Sequence, residues 1–284
     1  MAYKNLLDMH VHTDNSFDGR HSAIFLCESA VERGLRAVAF ADHVEMDHFR
    51  DRSFDRTAKQ SFFEVVKARS AFRGQLIVCA GVELGEPTYN RAEAESLVQR
   101  YSYDVVVGSI HNLRGKEDFW YLPYGEYADG EIAVLLREYF DEMLLLAEWG
   151  KFDVLAHLTY PLRYIPKDYF DRAQRSAAYA DTAGGSGAPP QVVDAILEAA
   201  VKNRLALEIN TSGLRQSLSK TMPEESVVRR FYELGGRRVT VGSDAHYAHD
   251  LGAGLAAGMD LALRCGFTHM TLYQGREPVQ VEIA

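Results

Sequence analysis

Thiol chemistry is scarce in this chain. Cysteine occurs three times in 284 residues, at Cys27, Cys79 and Cys265. The three lie far apart and form no CxxC pair, so neither a thiolate zinc site nor a disulfide framework is expected. Long apolar runs are missing as well, and none nears the roughly 18 residues that a membrane-spanning helix needs. The N-terminal stretch MAYKNLLDMHVHTD turns polar before a signal-peptide core develops, so the expected address is the cytoplasm, with no membrane partner. Basic residues are outnumbered, 31 Lys and Arg against 40 Asp and Glu, for a formal net charge of −9. With no Lys/Arg run either, a nucleic-acid partner is not expected. What remains, 47% hydrophobic and 25% charged, is an ordinary globular composition. One feature is out of place in an acidic protein: ten histidines.

Short β-type runs alternate with longer helical ones. The strand candidates are Asn5–His12, Arg36–Asp42, Gln75–Glu83, Asp104–His111, Phe152–His157, Leu205–Asn210 and Arg238–Asp244. They are continuous and rich in Val, Ile and Leu, as strands covered on both faces are. Helical spacing marks Ser22–Arg33, Ile132–Trp149, Pro189–Asn203 and Pro223–Leu234, punctuated by proline at the start or glycine past the end. Seven strand–helix alternations suit a parallel βα barrel or a doubly wound sheet. The biased stretch at 180–190 (ADTAGGSGAPP) reads as a flexible loop. The loop at 112–130 carries Phe119, Trp120, Tyr121, Tyr124 and Tyr127 and is a candidate lid or substrate wall.

The strand ends carry the chemistry. Strand one finishes Asp8-Met9-His10-Val11-His12, and a two-residue period puts Asp8, His10 and His12 on one side. The others end in Asp42-His43, Glu83, His111, His157 and Asp244-Ala245-His246, while the sixth ends in Asn210. In parallel barrels and open α/β sheets that edge is where reactive groups assemble. Six histidines with carboxylates and no thiolate suit zinc, manganese or iron. Asp8 and Asp42 are expected to support ligands rather than bind metal, Asp8 by orienting an imidazole. His21, His48, His249 and His269 lack this context and are read as surface or loop residues.

Taken in order, Asp8-x-His10-x-His12-Thr13, Ser16-x-Asp18-Gly19, Asp42-His43, Gly81-x-Glu83, Gly108-Ser109-x-His111, Ala156-His157 and Ser243-Asp244-Ala245-His246 resemble the PHP (polymerase and histidinol phosphatase) superfamily. The stretches from Glu208 to Arg215 and from His157 to Tyr164 resemble its histidinol-phosphate phosphatase branch. The resemblance implies an α/β fold, a distorted seven-stranded parallel (β/α)7 barrel, as a single domain over 1–284 with the metal site at the C-terminal ends of the strands. It implies three divalent metal ions. His10, His12, Glu83 and Asp244 would hold the first, and Asp18, His43 and His246 the second. His111 and His157 would hold the third, with Glu83 bridging.

The implied activity is hydrolysis of a small phosphate monoester, L-histidinol phosphate, in histidine biosynthesis, by attack of a metal-bridged hydroxide. Arg163 and Arg215 would clamp the phosphoryl group, with Asn210 at the substrate and Asp244 and His246 taking part in catalysis. The alternatives are a PHP phosphoesterase acting on a nucleotide, phosphodiester or phosphotyrosine, and a non-catalytic metal-binding module. An amidohydrolase also begins with HxH on its first strand, but usually has eight strands, and no lysine ends a strand here. The sequence carries no signal for an oligomeric state.

Overall fold

The computed structural model describes residues 3–173 and 190–283. The expected loop at 180–190 therefore falls almost entirely outside the described residues.

Seven parallel strands form one curved sheet in the order β1 (Leu7–Val11), β2 (Ala37–Phe40), β4 (Ile77–Gly85), β5 (Val105–Ser109), β6 (Val154–Leu155), β7 (Ala206–Asn210) and β8 (Val239–Gly242). A three-residue strand, β3 (His43–Glu45), pairs with the far end of β4. The last strand returns to the first: Asp244 N donates to His10 O at 2.8 Å and His12 N to Ala245 O at 3.0 Å. A nearly closed (β/α)7 barrel results, as the sequence led one to expect. The strands form because their apolar, largely β-branched residues are buried on both faces, between the barrel interior and the surrounding helices.

Among the described residues the α-helices are α1 (Ala23–Glu32), α2 (Phe54–Ala71), α3 (Arg91–Arg100), α4 (Asp129–Trp149), α5 (Lys167–Ala173), α6 (Pro190–Lys202), α7 (Glu225–Glu233) and α8 (Leu255–Arg264). Their ends follow local chemistry. Ser22 Oγ accepts from Phe25 N at the start of α1. Gly150, at φ 59°, closes α4 with its N–H on Leu146 O. Pro223 stands two residues before α7 rather than in its first turn.

Two expectations change. The second strand is broken at Ala41-Asp42, so His43 opens β3 instead of ending β2. A C-terminal hairpin, β9 (His269–Gln274) and β10 (Glu277–Glu282), was not anticipated. Tyr273 Oη donates to Asp153 O at 3.2 Å, Gly275 N to Asp104 Oδ1 at 2.9 Å and Arg276 Nε to Asp153 Oδ2 at 2.9 Å. Asp104 and Asp153 precede β5 and β6, so the hairpin covers the end where strands begin. The opposite end is left for the site.

Candidate metal centre

The strands deliver the predicted ligands to one end of the barrel. His10 lies within β1 and His12 just past it; Glu83 lies in β4, and His111 and His157 follow β5 and β6. Asp244 and His246 follow β8. Two of these residues have left-handed backbones, His157 at φ 21° and Asp244 at φ 54°. Such conformations in non-glycine residues cost about 1–3 kcal/mol and persist where surrounding contacts hold them.

Glu83 is the hub. Its Oε2 lies 3.2 Å from His10 Nε2, 3.6 Å from His12 Nε2 and 3.0 Å from His43 Nδ1. Its Oε1 lies 3.2 Å from His111 Nε2 and 3.0 Å from His157 Nε2. Beside this group, His246 Nε2 is 3.4 Å from His43 Nε2 and 3.2 Å from Asp18 Oδ2. Asp244 Oδ1 lies 3.4 Å from His12 Nε2. All nine predicted ligands thus meet in one cluster, and all but Asp18 and His246 are buried.

Burial by itself would make His10, His43 and His111 less basic, but facing carboxylates outweigh it. Glu208 and Glu83 act on His10, Glu83 and Asp18 on His43, and Glu45 and Glu83 on His111, holding all three well above the ordinary histidine value. His12 is driven well below it, first by burial and then by His246 and His43. Burial would raise the carboxyl of Glu83, yet His10, His111 and His43 hold it well below the usual range. Asp244 is likewise held low, against burial, by His12 and Arg163.

The donor set fits divalent ions. His10 Nε2, His12 Nε2, His43 Nδ1, Glu83 Oε2 and Asp18 Oδ1 are buried atoms without a hydrogen-bond partner among the described residues, although buried polar atoms are ordinarily paired. Three ligand-sized groups recur within the cluster: His10, His12 and Glu83; His43, Glu83 and His111; and His12, His43 and His246. Imidazole nitrogens and carboxylate oxygens aimed at common points suit zinc, manganese or iron.

A family model described as PHP domain matches residues 8–212, more than half of the chain. The chain belongs to the PHP family. The matched range ends before Asp244 and His246, but full-length relatives extend the likeness. A Thermotoga maritima protein named probable histidinol-phosphatase is 29% identical over 98% of this chain and all of its own length. One of the same name from Clostridium acetobutylicum is 28% identical over 92% of this chain and 94% of its own. The crystal structure of a Lactococcus lactis histidinol phosphate phosphatase, complexed with zinc, L-histidinol and phosphate, superposes with a TM-score of 0.79. It is 20% identical and the match covers 97% of this chain and 99% of that one.

Other predicted residues of this PHP chain fall differently. Arg163 reaches the cluster, its Nη1 lying 3.0 Å from Asp244 Oδ2 and 3.2 Å from Ser212 Oγ. Arg215 does not make that contact; its Nε pairs with Asp250 Oδ1 at 3.1 Å. Asn210 is fully buried. Its Nδ2 donates to Glu208 and its Oδ1 accepts from Ser212 N and Oγ, so its amide is engaged within the protein. The aromatic loop divides, with Phe119 and Tyr124 in the core and Trp120 and Tyr121 exposed. Trp120 stands edge-on to Tyr164.

The supporting carboxylates are partly new. Asp42 acts through a hydroxyl: it accepts from Ser16 Oγ at 2.7 Å, and that Oγ is 3.2 Å from His12 Nδ1. Asp8 orients no imidazole. It accepts from Ser243 N, Ser243 Oγ and Gly252 N, tying β1 to the segment after β8. Sequence reading missed Glu45, whose Oε1 is 3.2 Å from His111 Nδ1 and from His43 Nδ1, and gave no role to Glu208. The sequence of β7 could have flagged Glu208, an acidic residue between Leu207 and Ile209 in a strand whose other polar residue is its last, Asn210.

Proposed function

We propose that this PHP chain is a metal-dependent phosphatase of a small phosphate monoester, with L-histidinol phosphate as substrate and L-histidinol and phosphate as products. The observation that carries the proposal is the cluster of nine candidate ligands with a half-buried arginine at its margin. The names of the full-length relatives supply the substrate. This reading makes the protein an enzyme of histidine biosynthesis acting in the cytoplasm.

Three divalent ions would be shared as the sequence implies: His10, His12, Glu83 and Asp244 for one, Asp18, His43 and His246 for another, His111, His157 and Glu83 for a third. When bound, they supply Lewis-acid stabilisation of phosphoryl charge and can lower the pKa of water from near 16 to about 7. Their charge outweighs that of Asp18, Glu83 and Asp244, so a phosphate dianion is attracted despite the acidic surface.

The protein's own groups do the rest. Arg163 has a buried Nε without a hydrogen-bond partner among the described residues and an Nη1 anchored on Asp244 and Ser212, so it can donate to phosphoryl oxygens from a fixed position. Asp244, held ionised, anchors that guanidinium and is a poor proton donor at neutral pH. His246 stands beside it, its Nε2 turned to Asp18 and His43, where it would hold the second ion. Arg215, whose Nε pairs with Asp250, would be the second clamp on the phosphoryl oxygens.

The test is metal analysis of the purified protein combined with phosphate release from a panel of monoesters. Rapid release from L-histidinol phosphate, dependent on bound metal, is expected. Efficient hydrolysis of other esters with none from this one would sink the substrate assignment.

A further inference from the structure

β7 supplies none of the nine predicted ligands, yet it carries a buried carboxylate that touches two of them. Glu208 Oε1 lies 2.7 Å from His10 Nδ1. Its Oε2 accepts from His157 N at 2.8 Å and from Asn210 Nδ2 at 3.2 Å. Glu208 is 1% exposed, so these contacts are not shared with bulk water.

We infer that Glu208 is a positioning residue for the metal centre, setting the ring of His10 and the backbone of His157 with one carboxylate and thereby coupling two metal positions. The inference rests on the reading that this site holds divalent ions.

A carboxylate facing Nδ1 places the imidazole proton there, which leaves the Nε2 lone pair of His10 directed at Glu83 and available to a metal. His157 sits at φ 21°, and a bond from its own N–H to Glu208 holds that backbone in place. His10 is assigned to the first ion and His157 to the third, so one side chain bears on both.

The surroundings are shaped for this contact. A Cβ on Gly242 would fall 2.5 Å from both Glu208 Oε1 and His10 Cβ. Glycine at that place in β8 is what lets β7 and β1 bring these groups together across it. A carboxylate serving only to fill the core would need neither the approach nor the second bond.

The experiment uses the full chain loaded with zinc or cobalt and titrated with a chelator. Metal per chain and the cobalt absorption spectrum are read for wild type, Glu208→Gln and Gly242→Ala. His10 and His157 meet different oxygens of Glu208, and an amide turns one of these into an NH2 donor, so Glu208→Gln cannot accept at both places. It is expected to lose metal at roughly 10–100-fold lower chelator than wild type, with an altered cobalt spectrum. Gly242→Ala separates the same groups without changing charge and should weaken retention in the same way, which keeps the test open if the glutamine variant folds poorly. Wild-type retention and an unchanged spectrum in either folded variant would overturn the inference and leave Glu208 as a structural support, whatever its effect on melting. A wild-type chain that binds no divalent ion would instead overturn the proposed function itself.

Discussion

Arg163 Nη1 stands 3.0 Å from Asp244 Oδ2, and the guanidinium carbon lies 4.8 Å and 4.7 Å from the ring centres of Tyr160 and Tyr164. The charge is therefore held by a carboxylate at one end and by aromatic faces at its flanks. Pre-positioned donors of this kind act on charge that develops in the transition state.

Replacing Arg163 by alanine should lower kcat/KM on the order of 10²-fold or more. Metal content should stay near the wild-type level, because the arginine is not a ligand. Arg163→Lys should recover part of the loss but not all, since lysine lacks the planar fork. Steady-state kinetics alongside metal analysis separates these effects; a parallel loss of metal would show that the arginine acts through Asp244 instead.

Glu83 faces five imidazoles, so Glu83→Gln should do more damage than removing a single outer support. Activity should fall by more than the roughly 10–100-fold typical of such supports, together with loss of bound metal. Elemental analysis and circular dichroism are the checks. Normal metal content with a native spectrum would displace Glu83 from the centre of the scheme.

Metal removal should make stability depend on pH in a defined direction. His10, His43 and His111 have folded values raised above the ordinary one of about 6.5. Their contribution is complete below that unfolded value and is lost as pH rises through the raised folded values. Glu83 and Asp244 are depressed, so theirs is present above about pH 4 and is lost as pH falls through the depressed values. Chelated protein should be most stable from about pH 5 to 6.5 and melt progressively lower towards pH 9, whereas metal-loaded protein should resist that rise. Thermal melts across pH, with and without chelator, decide it.

Asp8→Ala should act on stability. It leaves Ser243 N and Gly252 N without their buried acceptor, at about 1–3 kcal/mol for each unsatisfied group. The melting temperature should drop clearly, with chelator resistance reduced much less than in Glu208→Gln. Equal losses of metal in the two variants would erase the distinction between tying strands and orienting a ligand.

The barrel and the candidate ligands were legible because they are written locally. Continuous apolar runs mark strands buried on both faces, and His or Asp at the end of a run marks the catalytic rim of such a sheet. The alternation of Asp8, His10 and His12 predicted that they share a side, and His10 and His12 do face Glu83. Asp8 was misjudged because a carboxylate beside an HxH looks the same whether it meets an imidazole or backbone N–H groups. The C-terminal hairpin was overlooked because its strands pair with each other and cover the barrel's lower end, outside the βα rhythm.

Residue type and order by themselves determined the strand frame and the nine candidate donors, since each depends on a short stretch of chain. The tertiary structure alone decided which groups support those donors. Glu208 meets His10 across 198 positions of sequence, and Arg163 meets Asp244 across 81, whereas Arg215, in an equally suggestive motif, turns to Asp250. A hydrogen bond depends on angle and on a few tenths of an ångström, and those are set only when the barrel closes.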